Sequence, residues 1–281
     1  MAQTVFQGAS FKVTHTLEQE GPHLTRNDAY YDEALAMTVL LQGSGTCFVE
    51  GSRYPMVPGD LVLMRADELR RCRFAQDGVH ERLSIYLQPS FADALQELPL
   101  LQVFRNRAPG IGNKIRLRED DSAGWRTLLE IQDWMATFRG SSGELAQAEL
   151  QLLILRLLIR LCRIRESAAD DEPRSGDPAM ENVCRYIREH LTETLTYQHI
   201  QEHCHVNRYQ LGEVFRRSTG MTLTEYIISK RLLQAAELVR GGAGIETAAA
   251  AAGFQTYSHF YKAFVRQKGM SPRQYFQKTL R

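Results

Sequence analysis

Long uncharged apolar runs are missing from this sequence. The most apolar stretch, Leu150 to Leu161, is interrupted by Arg156 and Arg160 and falls short of the roughly 20 residues a bilayer-crossing helix needs. This predicts a protein with no membrane partner. The N-terminus has no basic region followed by an apolar run, so no secretory signal is expected, and the expected location is cytoplasmic. Cysteine is sparse: Cys47, Cys72, Cys162, Cys184 and Cys204 are odd in number, scattered, and form no CxxC. That pattern predicts reduced thiols. Hydrolase and nucleotide signatures are missing too, because the glycines spell neither a G-x-S-x-G elbow nor a phosphate-binding loop.

What is present is length and an uneven charge. A chain of 281 residues is long for one domain and comfortable for two. The net charge of +1 conceals an asymmetry. Residues 181–281 hold 14 Lys and Arg against 8 Asp and Glu, or +6, while residues 1–180 hold 20 against 25, or −5. A basic C-terminal part suits contact with phosphates, the main source of non-specific affinity for nucleic acid.

The C-terminal part also repeats itself. A shift of 49 residues overlays Leu211 on Phe260, Phe215 on Phe264, Arg217 on Arg266, Gly220-Met221 on Gly269-Met270 and Tyr226 on Tyr275. So short a repeat marks a duplicated supersecondary unit. Each copy reads as a short helix, a tight turn and a second amphipathic helix. In the second copy Ile245, Ala248, Ala249 and Ala252 recur at helical spacing, Gly253 breaks the pattern, and Phe260, Ala263 and Phe264 share one side of the next helix. Gly269 and Pro272 stop it. The small alanines let two helices cross closely. In the first copy Tyr197, Ile200 and Cys204 form the support helix, and Leu211, Val214 and Phe215 anchor its successor. The anchors leave Tyr209, Glu213 and Arg216 outward in copy one, and Ser258 and Lys262 in copy two. A helix with such a face can enter a major groove and contact base edges.

The segment Val183 to Tyr275 resembles the DNA-binding domain of the AraC/XylS family of bacterial transcription regulators. The resemblance rests on Leu211-x3-Phe215-Arg216-Arg217-x2-Gly220, Tyr226, Arg231-Leu232-x2-Ala235, Gly253-Phe254, Ser258-x-Phe260-x3-Phe264 and Gly269-x-Ser271-Pro272-x2-Tyr275. It implies two helix-turn-helix units joined by a long helix, here about Leu223 to Arg240, which address two successive major grooves. The chain departs from the family at Gln201, where a small residue is preferred, and at Gly212, where many members present a longer side chain to DNA. The DNA-binding residues expected are Arg208, Tyr209, Glu213, Arg216 and Arg217 in copy one, and Tyr257, Ser258, His259, Lys262, Arg266 and Lys268 in copy two. Among these, Arg217, Arg266 and Lys268 are assigned to phosphates, which position a protein without specifying sequence.

The first hundred residues look β-rich, with short apolar runs between Gly, Pro and Asp turns: Ala36 to Glu50, Tyr54 to Val57, Leu61 to Met64 and Glu81 to Leu87. The order Gly43-Ser-Gly45-x4-Glu50-Gly51-x6-Pro58-Gly59-Asp60 resembles the cupin, the small jelly-roll barrel that senses ligands in many AraC-type regulators. Metal-dependent cupins hold their ion with an HxH pair, a carboxylate and a later His. Here no HxH precedes Gly43, His23 stands alone, and Arg70 occupies the place where related sequences often have His. A guanidinium has no lone pair to give a cation. A small polar ligand, a sugar or an organic acid, is the expected occupant. Arg26, Tyr31, Glu33, Glu50, Arg65, Glu68, Arg70, Arg82 and Tyr86 lie on or beside the predicted strands, with Glu33, Arg65 and Arg70 preferred.

Beyond the barrel, helices are predicted at Phe91 to Leu98, Ser122 to Phe138 and Glu144 to Arg165. The last carries Leu145, Leu152, Leu155, Leu158, Ile159 and Cys162 near helical spacing, with Leu150, Leu153, Ile154, Leu157 and Leu161 off that stripe. Apolar on more than one face, it must be covered on both sides, either by the chain's own barrel and preceding helix or by a partner subunit. The family's use of such helices favours a homodimer. Acidic, proline-bearing residues 167–178 read as a linker. His199, His203, Cys204 and His205 are read as a core cysteine among solvated histidines, with no metal site.

The expected fold class is α+β: an N-terminal jelly-roll (cupin-like) β-barrel with a helical extension, and a C-terminal all-α domain of two helix-turn-helix units. The expected domains are a sensing domain at 1–120, a helical hairpin for dimerisation at 121–166, a linker at 167–178 and a DNA-binding domain at 179–281. The expected function is a ligand-responsive, sequence-specific transcription regulator of carbohydrate or related small-molecule metabolism, an activator by family analogy. Its partners are double-stranded promoter DNA, a small-molecule effector, a second copy of itself and RNA polymerase, with no cofactor and no catalytic residue. The alternatives are a metal-dependent cupin enzyme tethered to DNA, and a ligand-independent regulator whose barrel only dimerises.

Overall fold

Short apolar runs between turn residues mark the first part of the chain and apolar residues at a period of about 3.6 much of the rest, and the backbone follows both. The computed structural model describes residues 2–8, 10–18, 34–74, 78–95, 97–117, 122–138, 143–167 and 177–279. The strands are β1 (Ala2–Gln7), β2 (Phe11–Glu18), β3 (Leu35–Gln42), β4 (Gly45–Val49), β5 (Ser52–Met56), β6 (Asp60–Met64), β7 (Arg70–Phe74) and β8 (His80–Leu87). After α1 (Pro89–Ala94), a 3-10 turn at Pro99–Leu101 and α2 (Gln102–Arg105), β9 (Lys114–Arg116) closes an edge. The run predicted as Ala36 to Glu50 is two strands, β3 and β4. The helix predicted to reach Leu98 ends at Ala94, ahead of the turn at Pro99.

The strands form two sheets, ordered β1-β2-β8-β3-β6-β9 and β5-β4-β7. Strand alternation sorts the first sheet's two faces. Leu35, Met37, Val39, Leu61, Leu63, Leu83, Ile85 and Leu87 join a core beneath the helices. Ala36, Leu40, Val62 and Met64 point the other way, toward Cys47, Val49, Met56 and Phe74 of the three-stranded sheet. This second layer is the barrel interior.

Cys47 and Cys72 correct the expectation of reduced thiols. They are directly opposite in the antiparallel β4–β7 register and form a disulfide across 4.0 Å between Cα atoms. Cysteines 25 residues apart in sequence carry no sign of this until the register is known. Cys162, Cys184 and Cys204 are free thiols.

Helices α3 (Ser122–Thr137) and α4 (Glu144–Ser167) cover the first sheet. Trp134 Nε1 donates to Ala146 O at 3.0 Å and pins one helix to the other. Off the predicted stripe of α4, Leu150, Ile154, Leu157 and Leu161 are buried, and on it Leu158 is buried too. Leu145 and Leu152 are instead 88% and 67% exposed, and Ile159 is also exposed. These three are seven residues apart, which keeps them on one side of the helix.

The C-terminal part consists of α5 (Pro178–Glu189), α6 (Tyr197–Cys204), a π-helical turn at Gln210–Val214 leading into α7 (Phe215–Thr219), α8 (Leu223–Arg240), α9 (Ile245–Ala251), α10 (Tyr257–Lys268) and α11 (Pro272–Thr279). Helices α5, α6, α8 and α10 start at side-chain caps, which satisfy the free N–H groups of a helix N-terminus. Asp177 caps Ala179, Thr196 caps His199, Thr256 caps His259, and Thr222 with Glu225 forms a capping box. One core runs through the whole of it and includes Leu69 of the barrel.

Candidate DNA interface and sensor interior

In the first repeat Ile200 and Cys204 bury the support helix α6, and His205 makes the turn at φ 54°. Asn207 and Gln210 then hold the start of the next helix reciprocally, with Asn207 N donating to Gln210 Oε1 at 2.8 Å and Gln210 N to Asn207 Oδ1 at 2.9 Å. Leu211, Phe215 and Thr219 face the core, so Arg208, Tyr209, Gly212, Glu213, Arg216 and Arg217 face outward. The π-helical turn at Gln210–Val214 had no signal in the sequence pattern.

In the second repeat Ala248, Ala249 and Ala252 let α9 approach its neighbours, and Phe254 fills the bend. Gly253 turns the chain at φ 89°, and a Cβ there would lie 2.7 Å from Leu191 O. Phe260, Ala263 and Phe264 anchor α10. Ser258 and Lys262 are exposed, as the spacing of the anchors predicts, and so are Tyr257, His259 and Arg266. Lys268 Nζ lies over the Tyr275 ring, 5.0 Å from its centroid. Tyr261 was missed by sequence reasoning. It is 42% exposed, and its ring centroid is 6.3 Å from that of Tyr257. The 49-residue shift places it opposite Gly212, and that overlay was the available signal.

His199 and His203 remain exposed beside the buried Cys204. Their Nδ1 atoms lie 3.3 and 2.8 Å from the Thr194 and His199 carbonyls, and the His203 ring stacks on Tyr186.

Inside the barrel, alternation puts Thr38, Arg70, Arg82, Ser84 and Tyr86 on the face that holds the second apolar layer. Thr38 Oγ1 and Ser84 Oγ are 2.9 Å apart and buried. Arg70 is 1% exposed. The Arg82 guanidinium lies 4.5 Å from the Phe74 ring centroid. Tyr54 donates its hydroxyl to Gly110 O at 2.6 Å, and burial pushes that hydroxyl up to about 12. Arg65 sits in the turn after β6, held by Asp67 at 2.9 Å and donating to Arg107 O at 3.2 Å. Glu68 points elsewhere, into a buried network with Arg107, Gly110 N and Asn113. Glu33, Arg26, Tyr31, His23 and linker residues 168–176 lie outside the described residues.

The opposite face of the three-stranded sheet meets the first helix-turn-helix unit. The side chains of Phe48 and Arg71 approach Gly220, and Arg73 Nη2 lies 3.5 Å from Gly220 O. A single sheet therefore separates the barrel interior from the DNA-binding part.

A polar-lined barrel joined to two helix-turn-helix units defines a DNA-binding protein with a small-molecule sensor. Residues 33–178 match the AraC-like ligand binding domain, and residues 200–278 match a helix-turn-helix domain. The chain belongs to the AraC family of transcription regulators. It is 25% identical over 243 residues to the HTH-type transcriptional activator RhaR of Cronobacter sakazakii, covering 86% of this chain and 83% of that protein. It is 30% identical over 135 residues to RhaR of Yersinia pestis, a match that spans 47% of this chain and 46% of the relative. Among solved structures, ToxT of Vibrio cholerae bound to an unsaturated fatty acid aligns over 98% of this chain and 96% of its own, at 16% identity and a TM-score of 0.41. No helix among the described residues is long and apolar enough to cross a membrane.

Proposed function

We propose that the protein is a cytoplasmic, effector-controlled activator of genes for sugar or related small-molecule metabolism, without catalytic activity. The observation that carries this reading is the outward polar face on the second helix of each repeat, held there by buried anchors beneath. Tyr209, Glu213 and Arg216, with Tyr257, Ser258, His259, Tyr261 and Lys262, contact base edges. Arg208, Arg217, Arg266 and Lys268 contact phosphates. The names of the RhaR relatives support a transcriptional activator. Arg70, with Thr38, Arg82, Ser84 and Tyr86 on the same inner face, supports a polar or anionic effector in the barrel. Residues 2–117 form the sensor, residues 122–167 the helical hairpin and residues 177–279 the DNA-binding part. Two copies pair through the outward Leu145, Leu152 and Ile159 of α4, which spaces two DNA-binding parts along repeated half-sites. Promoter-bound copies then engage RNA polymerase.

Gel-shift titration on fragments of the protein's own upstream region, against scrambled DNA, tests this. Lys262→Ala should lose affinity for the cognate fragment by about 1–3 kcal/mol while leaving scrambled DNA nearly unaffected. Arg266→Ala should weaken both alike and lower the salt slope by about 1. Equal losses from the two changes would reject the division of labour, and no preference for any fragment would reject the reading itself.

A further inference from the structure

Among the side chains that cross between the two halves of the molecule, Glu50 is the buried charged one contributed by the sensor. It sits with Gly51 at the tip of the β4–β5 hairpin, with φ values of 49° and 92°. A two-residue hairpin turn with both φ positive favours Asn-Gly or Gly-Gly, and a glutamate in the left-handed region is disfavoured. Such a cost persists where the surroundings impose it, and it clusters at switch regions.

The surroundings here are supplied by the other domain. The Glu50 side chain is fully buried and accepts four hydrogen bonds. One comes from its own barrel, from Leu69 N at 2.7 Å. The other three come from the DNA-binding part: Tyr226 Oη at 2.7 Å, Arg188 Nη1 at 2.9 Å and Lys230 Nζ at 3.0 Å. Lys230 also donates to Asp67 O at 2.8 Å. Tyr226 and Lys230 are one turn apart on α8, the helix that joins the two helix-turn-helix units, and Arg188 is on α5. Burial alone opposes the ionised form, yet Lys230, Arg188, the Tyr226 hydroxyl and the Leu69 amide outweigh it and hold the carboxyl below its ordinary value.

The same strands face the barrel interior. Val49, one residue before Glu50, is in the inner layer, and Arg70, one residue after Leu69, is on the inner face of β7. A side chain shifted inside the barrel at either position moves the backbone that carries Glu50 or its Leu69 donor.

We propose that Glu50 is an interdomain latch: its carboxylate clamps α5 and α8 to the sensor wall, and release of this clamp is how the barrel alters the placement of the DNA-binding part. The purpose of the latch rests on the regulator reading, but its existence is testable without DNA.

Cys184 supplies the probe. It is a free thiol, fully buried beneath the hairpin, and a Cβ on Gly51 would lie 2.9 Å from its sulfur. Burial, and then the nearby Glu50 charge, push the thiol up to about 12. Cys204, buried in the first helix-turn-helix core, reports unfolding of that part instead. The full chain and its Glu50→Gln and Arg188→Gln variants would be treated with iodoacetamide and the rate at each thiol followed by mass spectrometry. Opening of the latch should speed labelling of Cys184 by about tenfold to a hundredfold, as loss of one charge-assisted hydrogen bond implies, while Cys204 keeps its wild-type rate.

The two variants separate opening from thiol chemistry. Glu50→Gln removes a negative charge that disfavours thiolate, so it would speed labelling even in a closed interface. Arg188→Gln removes a positive charge that favours thiolate, so chemistry alone would slow the reaction and only opening can speed it. Arg188 is partly exposed, which makes its replacement the milder change. Faster Cys184 labelling in both variants with Cys204 unchanged supports the latch. An unchanged or slower rate in Arg188→Gln overturns it, and so does a parallel rise at Cys204. Neither outcome depends on promoter binding, which the gel-shift titration decides separately.

Discussion

The buried Glu68–Arg107 pair gives the sharpest stability prediction. Arg107 Nη1 and Nη2 donate to the two oxygens of Glu68 at 2.5 and 2.7 Å, and Nη2 also reaches Leu63 O at 3.2 Å. The two side chains are 3% and 0% exposed. Three further donors hold the carboxylate: Arg65 N at 2.8 Å, Gly110 N at 2.8 Å and Asn113 Nδ2 at 3.1 Å. Removing one partner of a buried pair costs roughly 3–5 kcal/mol, because the other charge is stranded. In Arg107→Met three donors remain on Glu68, so the expected cost is at the low end, about 3 kcal/mol. Adding Glu68→Gln removes the stranded charge. The new amide meets the remaining donors imperfectly, at about 1 kcal/mol for one unmatched group. The double variant should therefore be more stable than Arg107→Met by about 1–2 kcal/mol.

Urea denaturation followed by tryptophan fluorescence suits the measurement, since Trp125 and Trp134 both lie in α3, on the sensor side of the chain. With a slope of about 3 kcal/mol/M, Arg107→Met should lower the midpoint by about 1 M. A double variant as unstable as the sum of the two single ones would refute the argument that stranded charge is what the pair guards against. So would a loss below about 1 kcal/mol in Arg107→Met, which would mean the site admits water.

Three further outcomes follow from local geometry. Gly253→Ala should destabilise the DNA-binding part by about 2 kcal/mol or more, because the residue is at φ 89° and its Cβ would meet Leu191 O at 2.7 Å; far-UV circular dichroism during thermal melting would show it. Replacing Cys47 and Cys72 together by alanine should cost the sensor about 2–4 kcal/mol, the usual worth of a disulfide closing a loop of this size, and the wild-type chain under reductant should lose a similar amount of stability in urea. Glu50 gives a pH dependence: its carboxyl sits below the ordinary value of about 4.3 in the folded chain. Its stabilisation is therefore complete above that pH and is lost as the pH falls through the lower folded value. Acid titration of the wild type should show this loss, and Glu50→Gln should lack it.

The repeat in the C-terminal part was legible residue by residue. Buried Leu211, Phe215, Phe260 and Phe264 are the residues the 49-residue overlay named, because an anchor must recur at helical spacing whatever surrounds it. The long helix from Leu223 to Arg240 has the bounds that the family resemblance implied. The barrel was half legible. Its central strands announced themselves as apolar runs, whereas β2 and β7 did not: Arg70-Arg71-Cys72-Arg73-Phe74 reads as a charged surface until one face is known to meet another domain. On α4 the stripe chosen from sequence included residues that point outward, since a helix apolar on two sides does not say which side its own sheet will take.

By itself the sequence determined the class of each half through its family resemblance, and the paired helices with outward residues on them through periodicity and turn residues, which are local properties. Tertiary structure alone decided what lies across a strand or a domain boundary. It paired Cys47 with Cys72, turned Arg70 inward, and brought Glu50 to Tyr226 and Lys230, 176 and 180 residues further along the chain. A charge in sequence carries no address for its partner; only the folded chain, by excluding water around it, dictates which group must come to meet it.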